Sequence, residues 1–95
     1  MAAGAARAAA AFPAYKNTIF VGIGGNLAGI DAILAGQETM TVAVDGYDVG
    51  YLGVQAAVDA LNGKKLDEFI ATDATVVTAD NAAERRAEVQ KRLEQ

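Results

Sequence analysis

The sequence predicts an α/β fold with about three parallel strands and four helices. Three short runs rich in β-branched and aromatic residues are typical of buried strands, and they occupy positions 17–23, 39–44 and 75–78. Segments with helical signals alternate with these runs, an order that favours a parallel sheet joined by right-handed crossovers. Because three strands make a small sheet, we expect part of it to be missing or supplied by a partner.

The first two helices are marked by their composition and their ends. The alanine-rich segment 1–12 is helical by propensity, and Pro13 stops it. Two interpretations of this segment remain open: a helix whose beginning has been cut off, or a targeting peptide, since the only charges before the first acid are basic. A second helix starts at Leu27 and ends near Gly36, which occupies the usual position of a C′ glycine.

The last two helices are predicted from capping patterns. A long helix over 48–62 has Asp48 as its expected N-cap and stops at an Asn-Gly pair. The terminal helix opens with Asn81 and Glu84 at the spacing of a capping box. Its apolar stripe is thin, so we expect this helix to lie on a surface.

Composition excludes much of the catalytic repertoire, because the chain contains no Cys, His, Trp or Ser. A Ser-His-Asp or Cys-His arrangement is therefore impossible, and a zinc site would depend on carboxylates alone. We predict no enzyme, no metal site and no cofactor. A net charge of −4 argues against a nucleic-acid partner. No apolar run approaches the ~20 residues that a membrane span needs, so no membrane insertion is expected.

The glycine-rich turn VGIGGNLAGI (21–30) lies between the first predicted strand and the second helix, as a phosphate-binding turn would. The dinucleotide fingerprint requires a third glycine for close packing of helix and strand. Here Gly22 and Gly24 are followed by Leu27 at that position, and no Gly-Lys-Ser/Thr completes a P-loop. Asp45 has the spacing of a ribose-binding acid, but buried strands often end on a polar residue. A nucleotide site is therefore not favoured.

Three segments resemble a known family in their order and spacing: FVGIGGNLAGIDAILAGQETMTVAV, then GVQAAVDALNGKK, then TVVTADN. They are similar to the C-terminal portion of the ribose- and xylose-type periplasmic sugar-binding proteins of bacterial ABC importers, which share their fold with LacI-like repressor ligand domains. The resemblance covers essentially the whole chain. It implies the periplasmic-binding-protein type I fold, in which a sugar lies between two flavodoxin-like lobes at the carboxyl ends of parallel strands.

The resemblance also implies how the chain is divided. Residues 1–95 would form a single partial domain, in which 1–47 supply strands and helices of the second lobe. The helix 48–62 is expected to pack on a first lobe that is missing here, and 80–95 form the C-terminal helix. Because members of the family are much longer, Met1 is interpreted as an internal start or as the edge of a truncated reading frame.

Two positions depart from the pattern of the family. In the family, an acidic residue in the turn after the first strand commonly accepts hydrogen bonds from sugar hydroxyls, and the matching position here is Gly24. A polar residue near the end of the next strand also reaches the sugar. The matching position is Val44, with Asp45 directly after it. The sequence therefore leaves the identity of the ligand open.

The predicted ligand-binding residues follow the first two strands: Gly24, Gly25, Asn26, Asp45 and Tyr47. An amide that donates and accepts, a carboxylate that accepts from paired hydroxyls and a ring that stacks on a sugar face together suit a polyol. Each side chain also has a purely structural alternative. Asn26 could cap the following helix, Asp45 could be a turn or cap residue, and Tyr47 could pack between lobes.

The function predicted from this resemblance is that of the sugar-binding component of an ABC-type carbohydrate importer in the periplasm. Its partners would be a pentose or hexose and the importer permease. We expect no signal peptide in this chain, and we expect a truncated form that cannot clamp a ligand alone. The alternative is an interaction module that completes its sheet by homo-oligomerisation or with another chain. A repressor effector domain is a third, less favoured interpretation, because no helix-turn-helix precedes the fold.

Overall fold

The computed structural model describes all 95 residues, Met1–Gln95. Four helices and a three-stranded sheet confirm the predicted α/β class. No helix combines the length and apolar composition needed to cross a bilayer. The elements follow one another as α1 (Ala2–Ala9), a 3-10 turn (Pro13–Tyr15), β1 (Val21–Gly24), α2 (Leu27–Leu34), β2 (Met40–Val44), α3 (Gly46–Leu61), β3 (Ala74–Val77) and α4 (Ala82–Leu93).

The sheet has the order β1-β2-β3, and only its first pair of strands is parallel. The prediction that all three strands run parallel is wrong for β3, which lies antiparallel to β2. Val44 at the end of β2 is paired with Ala74 at the start of β3. The chain thus leaves the sheet and returns to it at the same edge. A parallel third strand would need a crossover back to the opposite edge.

One face of the sheet carries the core of the protein. Ile30 of α2 and Val77 of β3 have no exposed surface, and Ala43 of β2 is 1% exposed. The terminal helix α4 contributes Ala82, also fully buried, and Val89 packs against this cluster. Ala82 is the only buried residue of the twelve in α4, so the prediction that this helix lies on a surface is confirmed. An alanine at its first turn lets the helix approach the sheet closely, although its apolar stripe is thin.

The other face of the sheet is largely bare, so the prediction of strands buried on both faces is wrong. Successive side chains of a strand point to opposite faces. Gly22 and Thr41, which are register partners, lie on the covered face, while Val21, Ile23 and Val76 lie on the other. These three side chains are 52%, 84% and 53% exposed, respectively. In a parallel sheet a crossover helix would cover this face.

The helix that could serve as that cover, α3, does not pack on the sheet. None of its 16 residues is buried. The molecule measures 59 × 28 × 19 Å, with a radius of gyration of 17.1 Å. A compact domain of this length has a radius of gyration of about 12 Å. The exposed apolar side chains of α3 include Tyr47, Tyr51, Val54, Val58 and Leu61.

The helix caps differ from those predicted. Asp45, not Asp48, is the N-cap of α3, and its Oδ1 accepts a hydrogen bond from the backbone N–H of Tyr47 (3.1 Å). Asn81 precedes α4 but makes no capping bond. Its side chain accepts from the N–H of Thr78 and donates to the carbonyl of Val76, which fixes the turn after β3. The capping box is absent because this amide already bonds the preceding strand.

Replacing Ile30 by Ala is expected to lower the free energy of unfolding by about 2–5 kcal/mol, because it removes a buried side chain and leaves a cavity. The matched control is Ile23→Ala on the bare face, which should cost no more than about 1 kcal/mol. Urea unfolding followed by circular dichroism measures both changes. Equal losses at the two positions would show that the core lies elsewhere.

Candidate functional site

A cleft of about 290 Å³ opens where β1 and β2 end. Its lining comes from the turn after β1, the turn after β2 and one side of α4. β1 and β2 are parallel, with Gly24 opposite Ala43, so the residues that follow the two strands meet at one edge of the sheet. Open α/β sheets bind ligands in crevices at this edge.

All five residues predicted as ligand contacts line this one cleft: Gly24, Gly25, Asn26, Asp45 and Tyr47. The parallel pairing of β1 and β2 is the reason, because it brings together two turns that lie about twenty residues apart in the sequence. Three further polar residues on the cleft come from α4 and were not predicted: Arg85, Glu88 and Arg92.

The two glycines of the first turn have different roles. Both have positive φ, +123° at Gly24 and +70° at Gly25, a region that disfavours residues with a Cβ. A Cβ on Gly25 would lie 2.4 Å from the Cβ of Ala43, so the turn packs directly on β2. A Cβ on Gly24 would meet nothing within 4 Å. Gly24 thus leaves open space in the cleft.

The side chain of Asn26 both caps a helix and lines the cleft. Its Oδ1 accepts a hydrogen bond from the N–H of Gly29 (2.9 Å), which makes it the N-cap of α2. Its Nδ2 group makes no hydrogen bond within the chain. The structural alternative for Asn26 therefore describes its oxygen, while two N–H donors are left for a ligand.

The carboxylate of Asp45 contacts three other residues of the cleft. Its Oδ1 caps α3 through Tyr47, while its Oδ2 forms an ion pair with Nη1 of Arg92 and lies 3.8 Å from Nη2 of Arg85. The side chain is only 16% exposed. A carboxylate has about four acceptor positions, so these contacts leave room for a ligand hydroxyl.

Sequence reasoning missed the contribution of α4. Arg85, Glu88 and Arg92 are spaced i, i+3 and i+7, which places them on one side of a helix. Arg85 donates from Nη1 to Oε2 of Glu88 (3.1 Å), and its Nε is buried without a hydrogen-bond partner. The helical spacing was readable in the sequence. That this side faces Asp45 depends on how α4 docks on α2.

Tyr47 forms an aromatic wall at the rim of the cleft. Its ring stacks on that of Tyr51, with centroids 6.4 Å apart and planes 13° from parallel. The guanidinium carbon of Arg92 lies 5.5 Å from the centroid of the Tyr47 ring, within the range of a cation–π contact. The ring remains 60% exposed. Tyr47 thus stands in the cleft and does not belong to the core.

One exposed ion pair outside the cleft joins α4 to α2. Arg86 donates from Nε to Oδ1 of Asp31 on α2 (2.7 Å), and this hydrogen bond, with the charge of Asp31, raises the pKa of Arg86 above its ordinary value. Arg86 therefore points toward α2 while Arg85, its neighbour, lines the cleft. No group of three side chains converges as metal ligands anywhere in the chain.

Comparison with known proteins identifies a structural relative. No protein-family model matches the chain, and no curated protein matches it. Among solved structures it is similar to the fructose-binding periplasmic domain of a hybrid two-component system, with a TM-score of 0.80 and 27% identity over 98% of this chain. The chain spans 31% of the length of that relative. It therefore has the fold of part of a periplasmic-binding-protein type I domain.

Replacing Asn26 by Ala is expected to lower the free energy of unfolding by about 1 kcal/mol, because α2 loses its N-cap. Asn26→Asp should keep stability within about 0.5 kcal/mol of the parent, since a carboxylate also caps and favours a helix N-terminus. Thermal unfolding of the two variants measures this. A loss in Asn26→Asp equal to that in Asn26→Ala would contradict the capping role of the oxygen.

Proposed function

We propose that this chain forms one side of the sugar cleft of a periplasmic solute-binding protein. The observation that carries this proposal is the convergence of all five predicted contact residues on one cleft at the carboxyl ends of two parallel strands. The solved relative, which is itself a fructose-binding periplasmic domain, supports a monosaccharide as the ligand. The chain would bind this sugar without chemical conversion.

The roles of the cleft residues follow from their free groups. Asp45 accepts hydrogen bonds from adjacent sugar hydroxyls through the lone pairs that its cap and ion pairs leave unused. Asn26 donates from Nδ2, and the ring of Tyr47 offers an apolar face to the C–H face of a sugar. Gly24 and Gly25 let the backbone approach the ligand closely.

We expect the other half of the cleft to pack on the uncovered surfaces of this chain. In this proposal residues 1–47 and 80–95 belong to one lobe, and the helix 48–62, largely α3, packs on the other. The apolar side chains of α3 and the bare sheet face would be covered by that remaining part of a two-lobed protein. Ligand binding then closes the two lobes around a hinge.

An importer is the biological setting that we propose for this binding. A sugar-loaded, closed protein would dock on the permease of an ABC importer in the periplasm. The relative belongs to a two-component system, so closure of this fold also suits signalling. The two settings share the same ligand chemistry and differ in the partner that recognises the closed state.

The isolated chain is expected to bind neutral pentoses and hexoses with a dissociation constant of about 1 mM or weaker, because the ligand is contacted from one side only. Calorimetry with a sugar panel should detect no binding. Titration of the 15N-labelled chain into the millimolar range should shift the backbone amide signals of 24–26 and 45–47. Micromolar affinity would contradict the half-cleft, and an unperturbed spectrum would contradict sugar binding here.

Variants of two aspartates test the assignment of these shifts. Asp45→Asn retains a capping oxygen but loses the carboxylate, and should weaken sugar binding at least about tenfold. Asp48→Asn, three residues later and outside the cleft, is the matched control and should bind like the parent. Equal binding by all three proteins would remove Asp45 from the site.

The second candidate function is an interaction module, and the bare face of the sheet favours it. Val21 and Ile23 of β1 and Val76 of β3 expose apolar surface on the same face of the sheet, and large exposed apolar patches mark protein interfaces. In this alternative a second copy of the chain covers the face. The proposed solute-binding function instead assigns the face to the remainder of the same protein.

Self-association predicts a dimer in size-exclusion chromatography with light scattering at micromolar concentration. Ile23→Lys should return the chain to a monomer, because a charge at the most exposed residue of the patch cannot be buried without a partner. Gln37→Lys, an equal change of charge outside the sheet, should leave the dimer intact. A stable monomer of the parent chain at these concentrations would rule out this alternative.

A further inference from the structure

The cleft contains two cationic side chains that are not among the predicted ligand-binding residues. Arg85 and Arg92 lie one above the other on α4, and both approach the same oxygen, Oδ2 of Asp45. A single carboxylate cannot satisfy two guanidinium groups, each of which has five N–H donors. Glu88 takes one of these donors, from Nη1 of Arg85.

Unused hydrogen-bond donors therefore accumulate on this side of the cleft. The Nε of Arg85 is buried and has no hydrogen-bond partner, and the whole side chain is only 15% exposed. A buried donor without a partner costs free energy, so the guanidinium group of Arg85 is not fully satisfied by the chain itself. The Nδ2 of Asn26, whose Oδ1 alone caps α2, adds further donors on the opposite wall.

Acceptors are correspondingly scarce on that wall. Gly24 contributes no side chain at the end of β1, and a Cβ there would meet nothing within 4 Å. The carboxylates of the cleft are those of Asp45 and Glu88, and both are already paired with arginine. A neutral sugar needs acceptors and donors in similar number. The cleft instead suits a ligand with one group that only accepts.

We propose, on the basis of the sugar-binding function above, that the ligand is a monosaccharide that carries a carboxylate, such as a uronic or aldonic acid. Its carboxylate binds the guanidinium groups of Arg85 and Arg92, where charge-assisted and bidentate hydrogen bonds are the strongest available. Its hydroxyls bind Asp45 and Asn26. The ring of Tyr47 lies beside Arg92 and contacts the sugar ring at the same time.

Matched pairs of sugars test this proposal on the whole chain. Glucuronate and glucose differ only at C6, as do galacturonate and galactose, and glucose 6-phosphate tests whether any anion at C6 suffices. Each is titrated into the 15N-labelled chain at equal ionic strength, set with sodium chloride. Each uronate is expected to bind at least about tenfold more tightly than its neutral parent, and more tightly than the phosphate. This preference should fall as salt is raised.

Three arginine variants locate the preference. Arg85→Gln and Arg92→Gln should each reduce the affinity for glucuronate toward that for glucose. Arg86→Gln, an equal change of charge at the next position, pairs outside the cleft and should retain the preference. Melting temperatures of the three variants check that α4 remains docked. Loss of the preference in Arg86→Gln as well would show a general charge effect and overturn the proposal.

The outcomes separate this inference from the function on which it rests. Cleft shifts with glucose and galactose at equal or better affinity than with the uronates would overturn the acidic ligand and leave the sugar cleft standing. Tighter binding of glucose 6-phosphate than of glucuronate would replace the carboxylate by a phosphate. Absence of cleft shifts with every sugar would overturn both proposals.

Discussion

The carboxylate of Asp45 joins the three elements that meet at the cleft. It follows the last residue of β2, caps the first turn of α3 and pairs with Arg92 and Arg85 of α4. Charge-assisted hydrogen bonds are about twice as strong as neutral ones, and this carboxylate is largely shielded from water. The cleft side of α4 and the start of α3 are therefore both bonded to one group. Any ligand that binds Asp45 competes with or extends contacts that already shape the site.

Incomplete burial explains why so much of the surface is apolar. Only 10 of 95 residues are buried, and they lie on one face of the sheet. The chain turns away from the sheet after β2, so α3 cannot cover the second face, and Ile23 and the apolar side of α3 stay exposed. Domains of this size have little stability to spare. The same uncovered surfaces that would complete the core would also complete the cleft, which links stability to ligand binding in the proposed two-lobed protein.

Local signals in the sequence were reliable where an element decides its own structure. Asn26 and Gly36 bracket α2 as their types predict, β2 lies within its predicted apolar run, and β1 overlaps the end of its run and extends one residue beyond it. Predictions that needed long-range information were less successful. The direction of β3 depends on the path of 62–73, and the contribution of α4 to the cleft depends on how that helix docks. Apolar runs also predicted burial on both faces, because hydrophobicity reports the tendency to be buried and not the presence of a cover.

For the site, the sequence by itself determined which side chains follow β1 and β2, and the resemblance to sugar-binding proteins identified them as candidates. Parallel pairing then places them together, since strands that run side by side end at the same edge. The tertiary structure alone decided that charged side chains of α4 also line the cleft. Arg85 and Arg92 lie forty or more positions from Asp45 along the chain, and only the docking of α4 on α2 directs them to its carboxylate. Helical spacing fixes which residues share a side of a helix, whereas packing fixes what that side faces.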